Sequence, residues 1–161
     1  RKVANERVCY IGKLKRTVVI GSVEYEGWIH LDESYRVKAG YIGKDTMINN
    51  IYLPESTWVE FDRYGFPRIC FFPRNMEISS YTVLGSRFGS EGIQTSFYHN
   101  GKLHAFFSAK DVGIQGIPCK GGVFHPIILK EDGNILECTL SQDMEIGHKK
   151  YRKGERFKSV Y

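Results

Sequence analysis

The sequence predicts an all-β fold: tandem β-hairpins stacked into an elongated, solenoid-like sheet, with a repeat of about 30–36 residues. Three observations carry that expectation. Turn glycines recur in one frame. Short segments alternate apolar and polar residues, which is the periodicity of a half-buried strand. Aromatic residues and glycines are both abundant, the composition of strands joined by tight turns.

The frame is read from the residues. Phe61-Asp62-Arg63-Tyr64-Gly65, Phe97-Tyr98-His99-Asn100-Gly101 and Leu129-Lys130-Glu131-Asp132-Gly133 align on their glycines. Ten residues beyond each glycine stands a polar residue, Asn75, Asp111 or Asp143, and three further on an isoleucine, Ile78, Ile114 or Ile146. An earlier unit fits with Leu31, Asp45 and Ile48, with Tyr35 in place of the glycine. Successive isoleucines of this set are 30, 36 and 32 residues apart, and Trp28 and Trp58 fall 30 apart in the same register. The chain therefore reads as one repeat domain, 1–161. A partial unit at 8–24 is followed by units 25–48, 49–78, 79–114 and 115–146 and a cap at 147–161.

Each unit is built in the same order. Trp58-Val59-Glu60-Phe61-Asp62 alternates as a first strand. Asn100-Gly101 and Asp132-Gly133 are preferred dipeptides of a two-residue turn, because glycine accepts positive φ without a steric penalty. Ile69-Cys70-Phe71-Phe72 and Ile135-Leu136-Glu137-Cys138-Thr139-Leu140 return as the second strand. The Asn or Asp before each isoleucine suits a turn that opens a third, short strand. No segment reads as a helix. A lone hairpin is marginal in water, so neighbouring units must share a core. At the N-terminal end Cys9-Tyr10-Ile11-Gly12-Lys13-Leu14 matches Tyr98-His99-Asn100-Gly101-Lys102-Leu103. At the other end Tyr151 to Phe157 reads as the start of a further strand with no hairpin after it. Atypical end units are what a stacked array requires.

Charge is partitioned along the chain. Residues 1–16 hold six basic residues against one acidic, as do residues 148–161, while the middle holds 11 basic against 16 acidic. Two basic ends flank an acidic body, a layout that argues against a nucleic-acid binder. No apolar run approaches the roughly 18 residues of a membrane-spanning helix. Cys9, Cys70, Cys119 and Cys138 are spaced too widely for the usual zinc pairing. They read either as small apolar core residues or as two disulfides of undetermined connectivity.

No constellation for catalysis, cofactor or metal emerges. The repeat equivalents of His30 are Glu60, Ser96 and Ile128, so no ligand geometry recurs, and His99 is expected to face solvent in a turn. Asp45, Asp111 and Asp143 are periodic and read as turn formers rather than as acid–base groups. Trp28, Trp58, Phe61 and Phe97 read as a stacked core ladder rather than as a sugar-binding strip. Ile78 to Gly101 spans 23 residues against 17 and 19 in neighbouring units, and the excess lies near Gly85 to Gly92. Insertions in repeat proteins project on one face, often the binding face, which makes Arg87, Phe88 and Glu91 a candidate partner-binding loop. Lys149, Lys150, Arg152 and Lys153 are the candidate surface for an anionic partner.

Ser96 to Leu103 resembles the core of the MORN (membrane occupation and recognition nexus) repeat in its bacterial variant form: an aromatic strand, Asn-Gly-Lys, then a second strand. Ile114-Gln115-Gly116-Ile117-Pro118-Cys119-Lys120-Gly121-Gly122 resembles the linker of a group of exported bacterial repeat proteins that pair an Ile-Pro-Cys segment with such hairpins. The resemblance covers most of residues 8–157. It implies a stacked hairpin scaffold, export, and no enzymatic activity. The expected function is protein–protein interaction or envelope assembly. The alternative is binding of anionic lipid or acidic polysaccharide through the basic ends, and glycan hydrolysis by carboxylates that the fold brings together is a third, remoter possibility. The opening residue is Arg1, which is compatible with a removed leader.

Overall fold

A computed structural model describes residues 8–86 and 92–160. Its strands are β1 (Tyr10–Lys13), β2 (Val18–Ile20), β3 (Val23–Leu31), β4 (Val37–Ile42), β5 (Thr46–Ile48), β6 (Ile51–Leu53), β7 (Trp58–Phe61), β8 (Pro67–Phe71), β9 (Met76–Ile78) and β10 (Tyr81–Val83). They continue with β11 (Thr95–Phe97), β12 (Leu103–Phe107), β13 (Val112–Ile114), β14 (Ile117–Cys119), β15 (Pro126–Leu129), β16 (Ile135–Thr139), β17 (Met144–Ile146), β18 (Lys149–Tyr151) and β19 (Arg156–Lys158). The fold is all-β, as the sequence predicts, and the described residues contain no helix.

Each unit holds two hairpins rather than one. The long hairpins, β3–β4, β7–β8, β11–β12 and β15–β16, join edge to edge in an open antiparallel sheet running from β1 to β19, with β2 paired to β3 beside β1. The short hairpins, β5–β6, β9–β10, β13–β14 and β17–β18, form separate two-stranded ribbons. The expected third short strand is present, and a fourth folds back onto it. The unit boundaries drawn after Ile48, Ile78, Ile114 and Ile146 fall in the turns of these short hairpins.

The long-hairpin loops explain the glycine frame. In each, the residue after the first strand accepts from the N–H three positions on and donates its own N–H to the carbonyl four on. Gly65 N donates to Asp62 O and Asp62 N to Phe66 O, and the same pair recurs at Tyr98, Lys130 and Asp32. This is a three-residue loop, not the two-residue turn the Asn-Gly and Asp-Gly pairs suggest. Positive φ is needed at its last position alone: Gly65, Gly101 and Gly133 have φ of 85, 81 and 88°. Tyr35 occupies that place at φ 60°, and its ring stacks on Tyr10 at 5.1 Å. Every long hairpin then carries one extra residue at the same point of its returning strand, Lys38, Arg68, His104 or Leu136, which bends and twists the pair. Gly12 departs from the expected match with Gly101: it lies inside edge strand β1, paired with Ile29.

The short hairpins turn on two residues. Asn49-Asn50 and Ser79-Ser80 are left-handed at both positions, with φ between 51 and 69°, and Gln115-Gly116 likewise at 51 and 80°. Their bases are closed by the periodic Asn and Asp side chains. Oδ1 of Asp45, Asn75, Asp111 and Asp143 accepts the backbone N–H ten residues on, from Glu55, Gly85, Gly121 and Lys153, at 2.7–3.1 Å. The periodicity of these Asp and Asn side chains thus has a structural cause.

The core lies between the two layers. On the sheet's inner face Ile29, Val59, Cys70, Phe106, Ile127, Cys138 and Phe157 are buried, and the short hairpins cover them with Leu53, Met76, Val83, Ile114 and Cys119. Among the described residues the opposite face has no such cover. A single ladder crosses it from Ile11 through His30, Ala39, Glu60, Ile69, Ser96, Ala105, Ile128 and Glu137 to Lys158. The inferred repeat equivalence of His30, Glu60, Ser96 and Ile128 is therefore a physical row. Because successive strand residues face opposite ways, the burial of Val59 and Phe61 obliges Trp58 and Glu60 to face outward.

Candidate functional site

That parity corrects the aromatic ladder. Phe61 and Phe97 are in the core, but Trp28 is 48% exposed and Trp58 lies with it on the outer face. Residues three apart on one strand cannot share a face, so Trp58 and Phe61 could not both be core. A bulge at Gly27-Trp28, with Gly27 at φ 59°, turns Trp28 outward beside its neighbours. Glu26, Tyr41, Trp58 and Phe71 pair in sequence across four strands. Trp28, His30, Tyr41, Trp58, Glu60 and Phe71 line a shallow cavity of about 330 Å³. The rings of His30 and Tyr41 meet Trp58 edge-on at 5.1 and 5.0 Å, and the indole N–H donates to Glu60 Oε1 at 3.4 Å. The cluster offers aromatic faces with one carboxylate and one imidazole at its rim.

A second cavity, of about 430 Å³, lies between the loops of β7–β8 and β11–β12. Its lining includes Arg63, Arg68, Tyr64, Tyr98, His99 and His104, with Asp62 as its carboxylate. His99 is exposed in its turn, as expected, and its ring is also held: Nδ1 is 2.8 Å from Asp62 Oδ2, and the ring lies against Tyr64 and Phe66 at 4.8 and 4.9 Å. Partial burial acts to raise the Asp62 pKa, but hydrogen bonds from His99 and from the N–H groups of Phe66 and Tyr64 outweigh it and hold the carboxyl below its usual range. Burial, then the nearby Arg68 charge, lowers the His104 pKa and favours neutral imidazole, which meets Ser96 Oγ at 3.1 Å and the Tyr98 ring at 4.6 Å. Further bonds stitch the loops together: Asn49 Nδ2 donates to His99 O, Tyr98 Oη to Leu129 O and Asn100 Nδ2 to Glu131 Oε1, each at 2.9 Å. The Asp62–His99 pair ties the loop of β7–β8 to that of β11–β12.

Lys149, Lys150, Arg152 and Lys153 are all exposed, on β18 and the turn into β19. Lys149 Nζ lies 4.7 Å from the centre of the Tyr151 ring, Lys150 pairs across the ribbon with Glu145, and Lys153 N–H is held by Asp143. Lys13, Lys15 and Arg16 are exposed near the opposite edge of the sheet. The candidate loop residues Arg87, Phe88 and Glu91 lie outside the described residues. Its N-terminal stem is anchored, with Gly85 N–H on Asn75 Oδ1 and Ser86 N–H on Phe72 O.

The outer aromatic cluster is the element that the residue pattern failed to reveal. Its signal was strand parity in Trp58-Val59-Glu60-Phe61. The Asp62–His99 clamp joins residues 37 apart and left no local signal. No family model matches the chain, no curated protein matches it, and no solved structure matches its fold. No helix among the described residues is long and apolar enough to cross a membrane.

Proposed function

We propose that this protein is a non-enzymatic β-repeat scaffold that holds a protein partner on the uncovered face of its sheet. One observation carries the reading: Trp28, Tyr41 and Trp58 form a single outward cluster that no other part of the described chain covers. Aromatic residues standing exposed together, rather than singly, are the composition of an interaction surface, since their large rigid faces bury much area at little entropic expense. Export, where such a scaffold would join an envelope structure, belongs to the same proposal.

The exposed Lys149, Lys150, Arg152 and Lys153 favour a second reading, attachment to anionic lipid or acidic polysaccharide. One experiment separates the two. Immobilised protein is presented with an extract of its own source, with heparin and with anionic vesicles, alongside a Trp28→Ala/Trp58→Ala variant and a variant neutralised at the four basic residues. The first reading expects a protein retained by the wild type and by the neutralised variant, lost with the tryptophans, and rebound when purified. Retention of heparin or vesicles that fades steeply with salt and disappears on neutralisation supports the second, because exposed charges are screened beyond roughly 10 Å at 0.1 M salt. Identical protein capture with and without the tryptophans would overturn the first.

A further inference from the structure

We infer that Cys119 and Cys138 are a built-in cross-link site, oxidised to a disulfide that fastens the third short hairpin to the fourth long one. The two sulfurs stand 2.7 Å apart, inside the van der Waals separation of two thiols, in side chains 0 and 1% exposed. Cys119 ends β14 and Cys138 lies on the inner face of β16, and a bridge between Cys119 and Leu140 holds the two strands together. The backbone is bonded on both sides of that point, with Lys120 N–H on Thr139 O and Ser141 N–H on Pro118 O.

The repeat supplies an internal comparison. Cys119 occupies the last position of its short hairpin, where the two preceding units place Leu53 and Val83. Cys138 occupies the inner position of its returning strand, where those before it place Cys70 and Phe106. Both positions are buried and apolar in the preceding units, and among the described residues only here are both cysteine. Cys70, whose counterpart is Leu53, has a thiol with its pKa raised by complete burial and remains an ordinary core residue.

The chemistry balances with an external disulfide as oxidant, such as oxidised glutathione or the active-site disulfide of a thiol oxidoreductase. One of the two thiols gives up its proton and attacks the oxidant as the thiolate, expelling one oxidant thiol and leaving a mixed disulfide. The other thiol then attacks that protein sulfur, loses its proton, and expels the second oxidant thiol. Two electrons and two protons pass to the oxidant. Because both sulfurs are buried, the exchange occurs while the fourth unit is still docking, and the finished bond is shielded from reductant.

The test starts from reduced, unfolded protein refolded with oxidised glutathione, then unfolded and alkylated. The expected result is two alkylated cysteines, Cys9 and Cys70, a mass before alkylation lower by two hydrogens than that of the four-thiol form, and a cross-linked peptide pair containing Cys119 and Cys138. Reduction should lower the melting temperature of the wild type by roughly 5–10 °C and leave that of Cys119→Val, which copies Val83 of the preceding unit, unmoved. Four alkylated cysteines, or a bond that takes in Cys9 or Cys70 instead, would overturn the assignment.

Discussion

Replacing Gly101 with valine is expected to destabilise the protein by about 2–4 kcal/mol. Two independent penalties add. The position has φ 81°, a region a β-branched residue enters only with strain. A Cβ built there would lie 2.4 Å from the carbonyl oxygen of Asn49, at the tip of the first short hairpin. That oxygen is backbone in a turn whose two residues are themselves left-handed, so it has little freedom to retreat. Gly113→Val is the control. Gly113 lies in β13 without positive φ and with nothing within 4 Å of an added Cβ, and its replacement should change stability by no more than about 0.5 kcal/mol. Urea unfolding of the two variants measures the difference. Equal midpoints would mean that the loop of β11–β12 is wrongly described.

Phe106→Ala should cost about 3–5 kcal/mol, the range for emptying a buried aromatic site. Phe106 is 1% exposed and stacks on Tyr81 of β10 at 5.1 Å, so its loss opens a void between sheet and short hairpin. In a chain of this length the melting temperature should fall by roughly 10 °C. Its neighbour Phe107 faces the other way and is half-buried, so Phe107→Ala should cost distinctly less. Thermal melts of both, at one pH and salt, check the alternation directly. A larger loss at Phe107 would place the core on the wrong face.

The layout of the long hairpins was legible because its determinants are local. A position that needs positive φ selects glycine, and an Asp or Asn ten residues before a backbone N–H at the hairpin base recurs because each unit needs the same closure. Tyr35 could be aligned without its glycine because the rest of the frame persisted around it. The short hairpins were half legible. Their strands have three residues, too few to display period two. Their tips are Asn49-Asn50, Ser79-Ser80, Gln115-Gly116 and Gly147-His148, four dipeptides with no common signature, so the strand beyond each isoleucine gave no sign of turning back. The basic residues Lys149, Lys150, Arg152 and Lys153 could be picked out because charge declares itself in composition. The outer cluster was obscured because Trp28 and Trp58 stand on their strands directly beside true core residues, Ile29 and Val59. A single bulge at Gly27 and the parity of β7 decide their face, and both depend on pairing with distant strands. The proximity of Cys119 to Cys138 has the same origin: it follows from the docking of β14 against β16.

The central claim is that one face of the sheet is covered by short hairpins while the other, among the described residues, stays open and aromatic. The chain's two tryptophans, Trp28 and Trp58, both lie on the open face, so tryptophan emission reports on that face alone. In the folded protein the emission should be red-shifted and strongly quenched by acrylamide, and Trp28→Phe should remove the larger part of the quenching, since Trp28 is the more exposed of the two. A blue-shifted emission that acrylamide barely reaches until the protein unfolds would put both tryptophans in the core and contradict the account.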